Sequence, residues 1–241
     1  MKAIILIPCF NEEKNISGVI RNILTVSEAA AEYGCEIDYI VINDCSTDGT
    51  PAVLSENDYN YLSLPSNLGI GGAMQTGYRY AYEQGYDIAL QHDGDGQHDP
   101  AYFKDVISPI AEGQADIVIG SRFIDKQGFQ SSKARRLGIG VISSLIRLFT
   151  GIKIYDVTSG YRAVNRKYIE LYARSYAQDY PEPEAIMEAA MYKAQIKEVP
   201  VVMRERMHGE SSIGKFKSLY YMVKVCLVIT LHKMISARKV L

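Results

Sequence analysis

Short apolar runs alternate with segments of helical period from the first residues onward, and this alternation constrains the fold more than any other feature. Residues 3–7, 37–42, 61–64, 88–90 and 116–119 read as buried strands. Between the first two, Ile16, Val19, Ile20, Ile23 and Leu24 recur at helical spacing, and residues 67–73 lead into a further helix ending near Gly85. Such a chain is expected to form an α/β domain, a doubly wound, mostly parallel sheet flanked by helices. One large domain accommodates the 241 residues, and a hydrophobic content of 47% supplies its core.

In open α/β sheets, ligands bind beyond the carboxyl ends of the strands. There, after residues 88–90, stands Gln91-His92-Asp93-Gly94-Asp95-Gly96-Gln97-His98-Asp99-Pro100. In extended backbone, residues i, i+2 and i+4 point to one side, so Asp93, Asp95 and Gln97 can converge. Three carboxylates within seven residues repel one another unless a cation joins them. Oxygen donors of this kind suit Mg²⁺ or Mn²⁺, which also take phosphate oxygens from a substrate. An Asp-Gly pair is also ordinary turn chemistry. Its place after a strand, before a proline suited to the first turn of a helix, favours the metal site.

Four cysteines (Cys9, Cys35, Cys45, Cys226) lack CxxC spacing, which argues for a reducing compartment and against a zinc site. The first residues have too short an apolar run for a signal peptide, and no stretch reaches membrane-span length. A cytoplasmic location is expected. The net charge of −2 hides an asymmetry: residues 1–120 carry 5 Lys/Arg against 18 Asp/Glu, and residues 121–241 carry 21 against 10. An acidic half is comfortable around a metal, and a basic half attracts phosphate or anionic lipid. Nucleic acid is not expected, because aromatic platforms do not interleave the basic residues.

Elsewhere, Pro8 is expected to stop the first strand, and Asn11 to cap a helix carrying Glu12 and Glu13 in its first turn. Residues 125–132 read as a mobile loop, 137–149 as a helix, and 156–162 as a strand or loop returning to the site. Tyr180-Pro181-Glu182-Pro183-Glu184 reads as a break before a helix over 185–193, and 199–203 as a strand. Residues 216–241 read as an amphipathic C-terminal helix, in which Tyr220, Tyr221, Val223, Leu227, Val228, Leu231, Met234 and Ile235 alternate with Lys217, Lys224, Lys233, Arg238 and Lys239. That helix either lies at a membrane interface or packs on its own domain or a partner subunit.

Four blocks in order carry a resemblance: Ile7-Pro8-Cys9-Phe10-Asn11-Glu12-Glu13, Asn43-Asp44-Cys45-Ser46-Thr47-Asp48-Gly49-Thr50, Asn67-Leu68-Gly69, and Asp93-Gly94-Asp95 with Gln97-His98. Together they resemble family 2 glycosyltransferases of the GT-A fold. Residues 156–162 and Arg206-Met207-His208-Gly209-Glu210-Ser211-Ser212 are similar to the dolichyl- or polyprenyl-phosphate sugar synthase branch.

The resemblance implies a GT-A domain over residues 1–215, with a nucleotide-sugar half (1–120) and an acceptor half (121–215). It implies that Pro8, Asn11, Glu13, Asn43, Asp44, Asn67, Gly69, Gly72, Asp93 and Gly94 line the donor nucleotide. Asn43 departs from the aspartate usual in relatives, and a lysine or arginine usual near Ile70 is missing. Asp93, Asp95 and Gln97 would hold the metal, and Arg162 and Arg206 the diphosphate. Arg135, Arg136, Arg204 and His208 are further candidates for phosphate or metal contact. Glu182 and Glu184 stand where relatives carry a general base. The implied activity is metal-dependent, inverting transfer from a UDP or dTDP sugar to a lipid-linked acceptor in surface polysaccharide or glycolipid assembly. Transfer to dolichyl or undecaprenyl phosphate itself is the alternative. Peripheral contact with the cytoplasmic membrane face and oligomerisation accompany either. A sugar nucleotidyltransferase would want a Gly-rich, basic loop after the first strand, where this chain has Pro8-Cys9-Phe10-Asn11. A dehydrogenase would want G-x-G-x-x-G there.

Overall fold

The computed structural model describes residues 1–31, 35–130, 132–205 and 215–238. The strands are β1 (Lys2–Cys9), β2 (Glu36–Asn43), β3 (Tyr61–Ser63), β4 (Ile88–Gln91), β5 (Ile117–Ser121), β6 (Arg162–Asn165) and β7 (Ile196–Pro200). They form one sheet in the order β3-β2-β1-β4-β6-β5-β7. β1 is parallel to β2 and β4, β2 to β3, and β5 to β7. β6 runs antiparallel to both its neighbours, β4 and β5. The mostly parallel α/β sheet read from the sequence is therefore present.

The helices are α1 (Ile16–Ala31), α2 (Thr50–Glu56), α3 (Gly69–Glu83), α4 (Phe103–Ala111), α5 (Lys133–Thr150), α6 (Arg166–Arg174), α7 (Pro181–Met191) and α8 (Lys215–Arg238). Both faces of the sheet are covered, which is why β1 is an unbroken apolar run rather than an alternating one. Along β1, Ile4 and Leu6 join the core beneath α3, α5, α6, α7 and α8, with Tyr78, Ile142, Tyr168, Ile186 and Val225. Ala3, Ile5 and Ile7 point the other way, to Ile20 of α1 and Phe103 and Val106 of α4.

Several boundaries differ from the sequence reading, each for a local reason. β1 continues through Pro8, which pairs in register with Ile42. Pairing with β4 ends at Leu6, so the missing Pro8 N–H leaves no bond unmade on that side. Asn11 does not cap α1. It adopts a left-handed backbone (φ 58°), and its Oδ1 accepts the Thr47 N–H at 2.8 Å. Glu12 and Glu13 consequently precede the helix, and the Glu12 carbonyl accepts the Asn15 and Ile16 amides.

α7 begins at Pro181 and so includes the segment read as a break. Proline suits a first turn because its absent N–H has no intrahelical partner there. β7 lies three residues before the expected strand, and Met203 makes an isolated bridge to Gly128 of the preceding loop. The loop over 125–130 is tethered rather than free: Phe129 N–H also bonds the Met203 carbonyl, and Gln130 Nε2 the Arg122 carbonyl. α6 had no counterpart in the sequence reading. Asn165 caps it by accepting the Tyr168 N–H, and Tyr168, Ile169 and Tyr172 bury its inner face.

The antiparallel sense of β6 decides where the site forms. Its first residue, Arg162, pairs with Gln91 at the end of β4 and with Ile119 in β5. Residues 156–161 therefore arrive at the carboxyl ends of the parallel strands.

α8 packs against α5 and α7. Its inner face buries Val225 and Ile229, while Val223, Leu227, Leu231 and Met234 face outward. The described part of this helix is thus apolar on both sides, not amphipathic as expected. The side chains of Lys217, Tyr220, Tyr221, Ile235 and Arg238, and residue Lys239, lie outside the described residues. No helix among the described residues is long and apolar enough to cross a membrane.

Candidate active site

The ends of β1, β2 and β4 form one rim. Asp44 N–H bonds the Cys9 carbonyl at 2.9 Å, and a Cβ on Gly94 would stand 3.2 Å from the Pro8 carbonyl. Pro8, Asp44 and Gly94 are accordingly neighbours. Asn11 and Glu13 brace the adjoining loop. Asn11 N–H bonds Ser46 Oγ at 3.0 Å, and Glu13 takes the Gly49 N–H on Oε2 at 2.8 Å.

Asn43 is 2% exposed, and its amide already serves both sides: Nδ2 donates to Ser63 Oγ and Oδ1 accepts the Ser46 N–H. Its role as a reader of the base is corrected to that of a scaffold between β2, β3 and the following turn. Asp44 is also buried. Its Oδ1 accepts the Leu68 N–H at 2.7 Å, and its carbonyl accepts Asn67 Nδ2 at 3.1 Å. Burial raises its carboxyl above the ordinary value, and the Leu68 and Gly69 amides pull it back.

Gly69 (φ 74°) stands open on this loop, but Gly72 does not. A Cβ at Gly72 would meet Leu68 at 2.4 Å and Gln178 at 3.3 Å, so this glycine serves packing instead of lining a nucleotide. Gly71 is tighter still, with a Cβ falling 2.3 Å from both the Ala177 and Gln178 carbonyl oxygens.

On the turn after β4, the Asp93 side chain is 35% exposed, whereas Asp95 is at 9%. Asp95 Oδ1 accepts the Gln97 N–H at 3.0 Å, a local Asx bond that fixes the turn. Gln97 Nε2 donates to the Arg204 carbonyl at 3.3 Å, and Arg204 N–H returns a bond to the Gln97 carbonyl at 2.9 Å. Arg204 also pairs with Asp99 at 2.6 Å. The segment entering residues 206–214 is thereby docked on the acidic turn. Arg206 and His208 themselves lie outside the described residues.

Among the described residues, no three His, Cys, Asp or Glu side chains gather to hold a metal unaided. Asp93, Asp95 and the Gln97 amide oxygen are hard donors on a partly open turn. This chemistry fits a Mg²⁺- or Mn²⁺-type ion that completes its shell with substrate phosphate and water.

The second half supplies a group that the sequence reading missed. Arg122, just after β5, forks onto Asp156: Nε to Oδ2 and Nη2 to Oδ1, both at 2.7 Å. Asp156 is fully buried and Arg122 nearly so. Burial works against the Arg122 charge, and Asp156 more than restores it. Glu198 Oε1 holds the Asp156 N–H at 2.8 Å. The sequence signal was present in residues 156–162, but the partner lies 34 positions earlier.

Arg162 is 1% exposed, and its guanidinium is turned inward. Nη1 donates to the Glu182 carbonyl and Nη2 to the Ser159 carbonyl. Its expected contact with a diphosphate is corrected: it anchors the start of α7. That places Glu182 at the site, half-buried and in the electrostatic field of Arg162, Asp93 and Arg135. Burial raises its carboxyl, Arg162 lowers it, and Asp93 raises it again. Glu184 belongs to a different neighbourhood, with Asp179, Lys224 and Glu188, and its carboxyl is raised by burial to about 7. As a candidate base it is set aside.

Comparison with known proteins agrees with this geometry. The chain is 29% identical to the UDP-N-acetylglucosamine–dolichyl-phosphate N-acetylglucosaminyltransferase of Methanococcus voltae, over 82% of this chain and 83% of the relative. It is 28% identical to the undecaprenyl-phosphate mannosyltransferase of Micrococcus luteus, over 89% of this chain and 88% of the relative. Glucosyl-3-phosphoglycerate synthase from Mycobacterium tuberculosis, crystallised with Mn²⁺, UDP and phosphoglyceric acid, superposes with a TM-score of 0.71. That match has 19% identity and covers 96% of this chain and 78% of the other, which establishes the shared GT-A fold. The family model described as glycosyl transferase family 2 matches residues 4–172, from β1 through the acidic turn and the Arg122–Asp156 pair into α6, and the chain belongs to that family of glycosyltransferases.

Proposed function

We propose that the chain moves a sugar from a nucleoside diphosphate sugar, UDP-linked in the first instance, to the phosphate of a polyprenyl-type lipid. The observation that carries this reading is the rim on which Pro8, Asp44, Gly94 and the partly open Asp93–Asp95 turn meet at the sheet's carboxyl edge. The names of the relatives, both lipid-phosphate glycosyltransferases, support the acceptor class.

Asp93 and Asp95, with Gln97, would hold a divalent ion on the donor diphosphate. The ion supplies Lewis-acid stabilisation of the departing nucleoside diphosphate. The acceptor oxygen attacks the anomeric carbon as the bond from that carbon to the diphosphate breaks, a single displacement that inverts the centre. A phosphate oxygen is already ionised and needs no base. Residues 67–69 shape the nucleotide loop, held by Asp44, while the Arg122–Asp156 pair braces the loop over 156–161 beside the turn.

Two apolar rows suit a lipid acceptor. Leu137, Val141 and Leu148 stand outward on α5, with Leu137 and Leu148 about three-quarters exposed, and Val223, Leu227, Leu231 and Met234 stand outward on α8 beside it. Lys133, Arg136 and Arg147 are exposed on the same α5. This surface is read as the contact with an anionic membrane face. Sedimentation with phosphatidylglycerol vesicles should bring the protein down, and Leu148→Asp with Leu227→Asp should release it.

The central test offers UDP, dTDP and GDP sugars with undecaprenyl phosphate, in Mn²⁺ and in chelator. Transfer should vanish in chelator and fall roughly 10³-fold in Asp95→Ala, as loss of several kcal/mol of charge stabilisation requires. Transfer indifferent to both treatments would overturn the reading.

One observation favours a second reading, transfer to a lipid-linked sugar hydroxyl. Glu182 is half-buried within the field of Asp93, where a general base would stand. Glu182→Gln separates the two. A hydroxyl acceptor would lose about 10²–10⁴-fold, and a phosphate acceptor would lose little.

A further inference from the structure

Three of the four polar atoms of Asp93 are hydrogen-bonded within residues 91–98. Its N–H donates to His98 Nδ1 at 3.0 Å, and its carbonyl faces His92 Nδ1 at 3.1 Å. Its Oδ1 accepts Gln91 Nε2 at 3.2 Å, and its Oδ2 lies 3.7 Å from His98 Nε2. These contacts assign the tautomers. His98 must leave Nδ1 bare to accept, so its proton sits on Nε2, and His92 carries its proton on Nδ1.

Both rings are buried, at 0% exposure for His92 and 4% for His98, so neither is placed to meet a substrate directly. What holds them is apolar. His98 lies flat on Tyr161, with centroids 4.8 Å apart and planes 23° apart, and His92 stands edge-on to both rings. Tyr161 is itself fixed, donating its hydroxyl to the Asp99 carbonyl at 3.0 Å. Gly160 closes the last side: a Cβ there would fall 2.9 Å from Gln91 Nε2 and 3.0 Å from Asp93 Oδ2, so a larger residue would displace both side-chain ends by a few tenths of an ångström.

We propose that His98 is a positioning residue, which fixes Asp93 through its backbone N–H so that the carboxylate is already aimed before a divalent cation binds. The proposal rests on the donor reading above. A partly exposed aspartate would otherwise lose side-chain freedom on binding the ion, and a clamped one has lost it beforehand. Partners that orient a metal-binding group typically change affinity by about 10- to 100-fold.

The test reads Mn²⁺ affinity in the presence of UDP, from the electron paramagnetic resonance signal of free Mn²⁺, and so needs no turnover. His98→Phe keeps a ring on Tyr161 and removes both nitrogens. It should weaken Mn²⁺ binding by roughly 10- to 100-fold, and in turnover the loss should fall on KM for Mn²⁺ more than on kcat. His98→Asn keeps an acceptor at the place of Nδ1 and should recover most of the affinity. Should His98→Phe fail to fold, His98→Gln replaces it, since its amide reaches the place of Nε2 instead. Asn must then bind Mn²⁺ more tightly than Gln. Wild-type affinity in His98→Phe, or Gln equal to or better than Asn, overturns the positioning role while the donor reading stands. Wild-type protein that binds no Mn²⁺ with UDP overturns both.

Discussion

Two acidic sites share the carboxyl end of the sheet and are built on opposite plans. In the second half of the chain, Asp156 is fully buried and matched charge for charge by the Arg122 fork. In the first half, the Asp93 side chain is about one-third exposed and accepts from the Gln91 amide, while its backbone carbonyl and N–H meet two neutral imidazoles. Burial lowers His92 to about 3 and His98 to about 4, so neither ring offers a compensating charge near neutral pH. The difference teaches where the protein has settled its own electrostatics and where it has left negative charge for something else. One site is a brace, and the other is the one proposed to face a ligand.

The sharpest way to break this contrast is to remove one carboxylate from each site. Asp156→Ala strands a buried guanidinium and should cost about 3–5 kcal/mol in urea unfolding. Asp93→Ala should cost under about 1 kcal/mol, as a partly exposed group does, yet eliminate metal-dependent nucleotide binding. Equal stability losses at the two positions would mean that the acidic turn is structural too. Restoring neutrality with Arg122→Met in Asp156→Ala should recover part of the loss, because the uncompensated charge is then gone.

A smaller effect is expected where the two halves touch. Gly71 on α3 faces the backbone of residues 177–178, which leads into α7 and Glu182. Gly71→Ala would push a methyl into two carbonyl oxygens and should destabilise by about 1–3 kcal/mol. Gly69→Ala, on the open loop with φ 74°, should cost about 1 kcal/mol through backbone strain alone. A reversed order would mean that the segment over 176–180 moves away from α3 easily and does not couple Glu182 to the nucleotide loop.

The same division governs how much of the molecule could be read from its residues. The first half announced itself, because β1, β2 and β4 are central parallel strands whose continuous apolar runs have few other uses. The acidic turn was legible because all its members are within ten residues. The second half was harder. α6 presents tyrosines where a helix usually shows aliphatic residues, so its period was hidden, and β6 is only four residues long. Arg122 carried no local mark, since a buried ion pair is visible only when both partners are placed. Arg162 was singled out by its motif, yet burial against Ser159 and Glu182 gives it another task. Pro181 and Pro183 were read as breakers although both fit a helix's first turn.

The smallest effect concerns a carboxylate that neither plan satisfies. Glu184 faces Asp179 and Glu188, with Lys224 opposing them, and burial raises its carboxyl from 4.5 to about 7. Because the folded value lies above the unfolded one, the folded state binds the extra proton between about pH 4.5 and 7. Stability from this group is therefore present at low pH and lost as pH rises through about 7. Glu184→Gln resembles the protonated form at every pH. It should melt about 1–2 °C above the wild type at pH 8, with the gap closing by pH 5. Glu188 is raised by burial as well, but it remains in both proteins and cancels in the difference. A gap of constant size across that range would show that Lys224 satisfies Glu184 after all, placing this carboxylate with Asp156 among the braces of the second half.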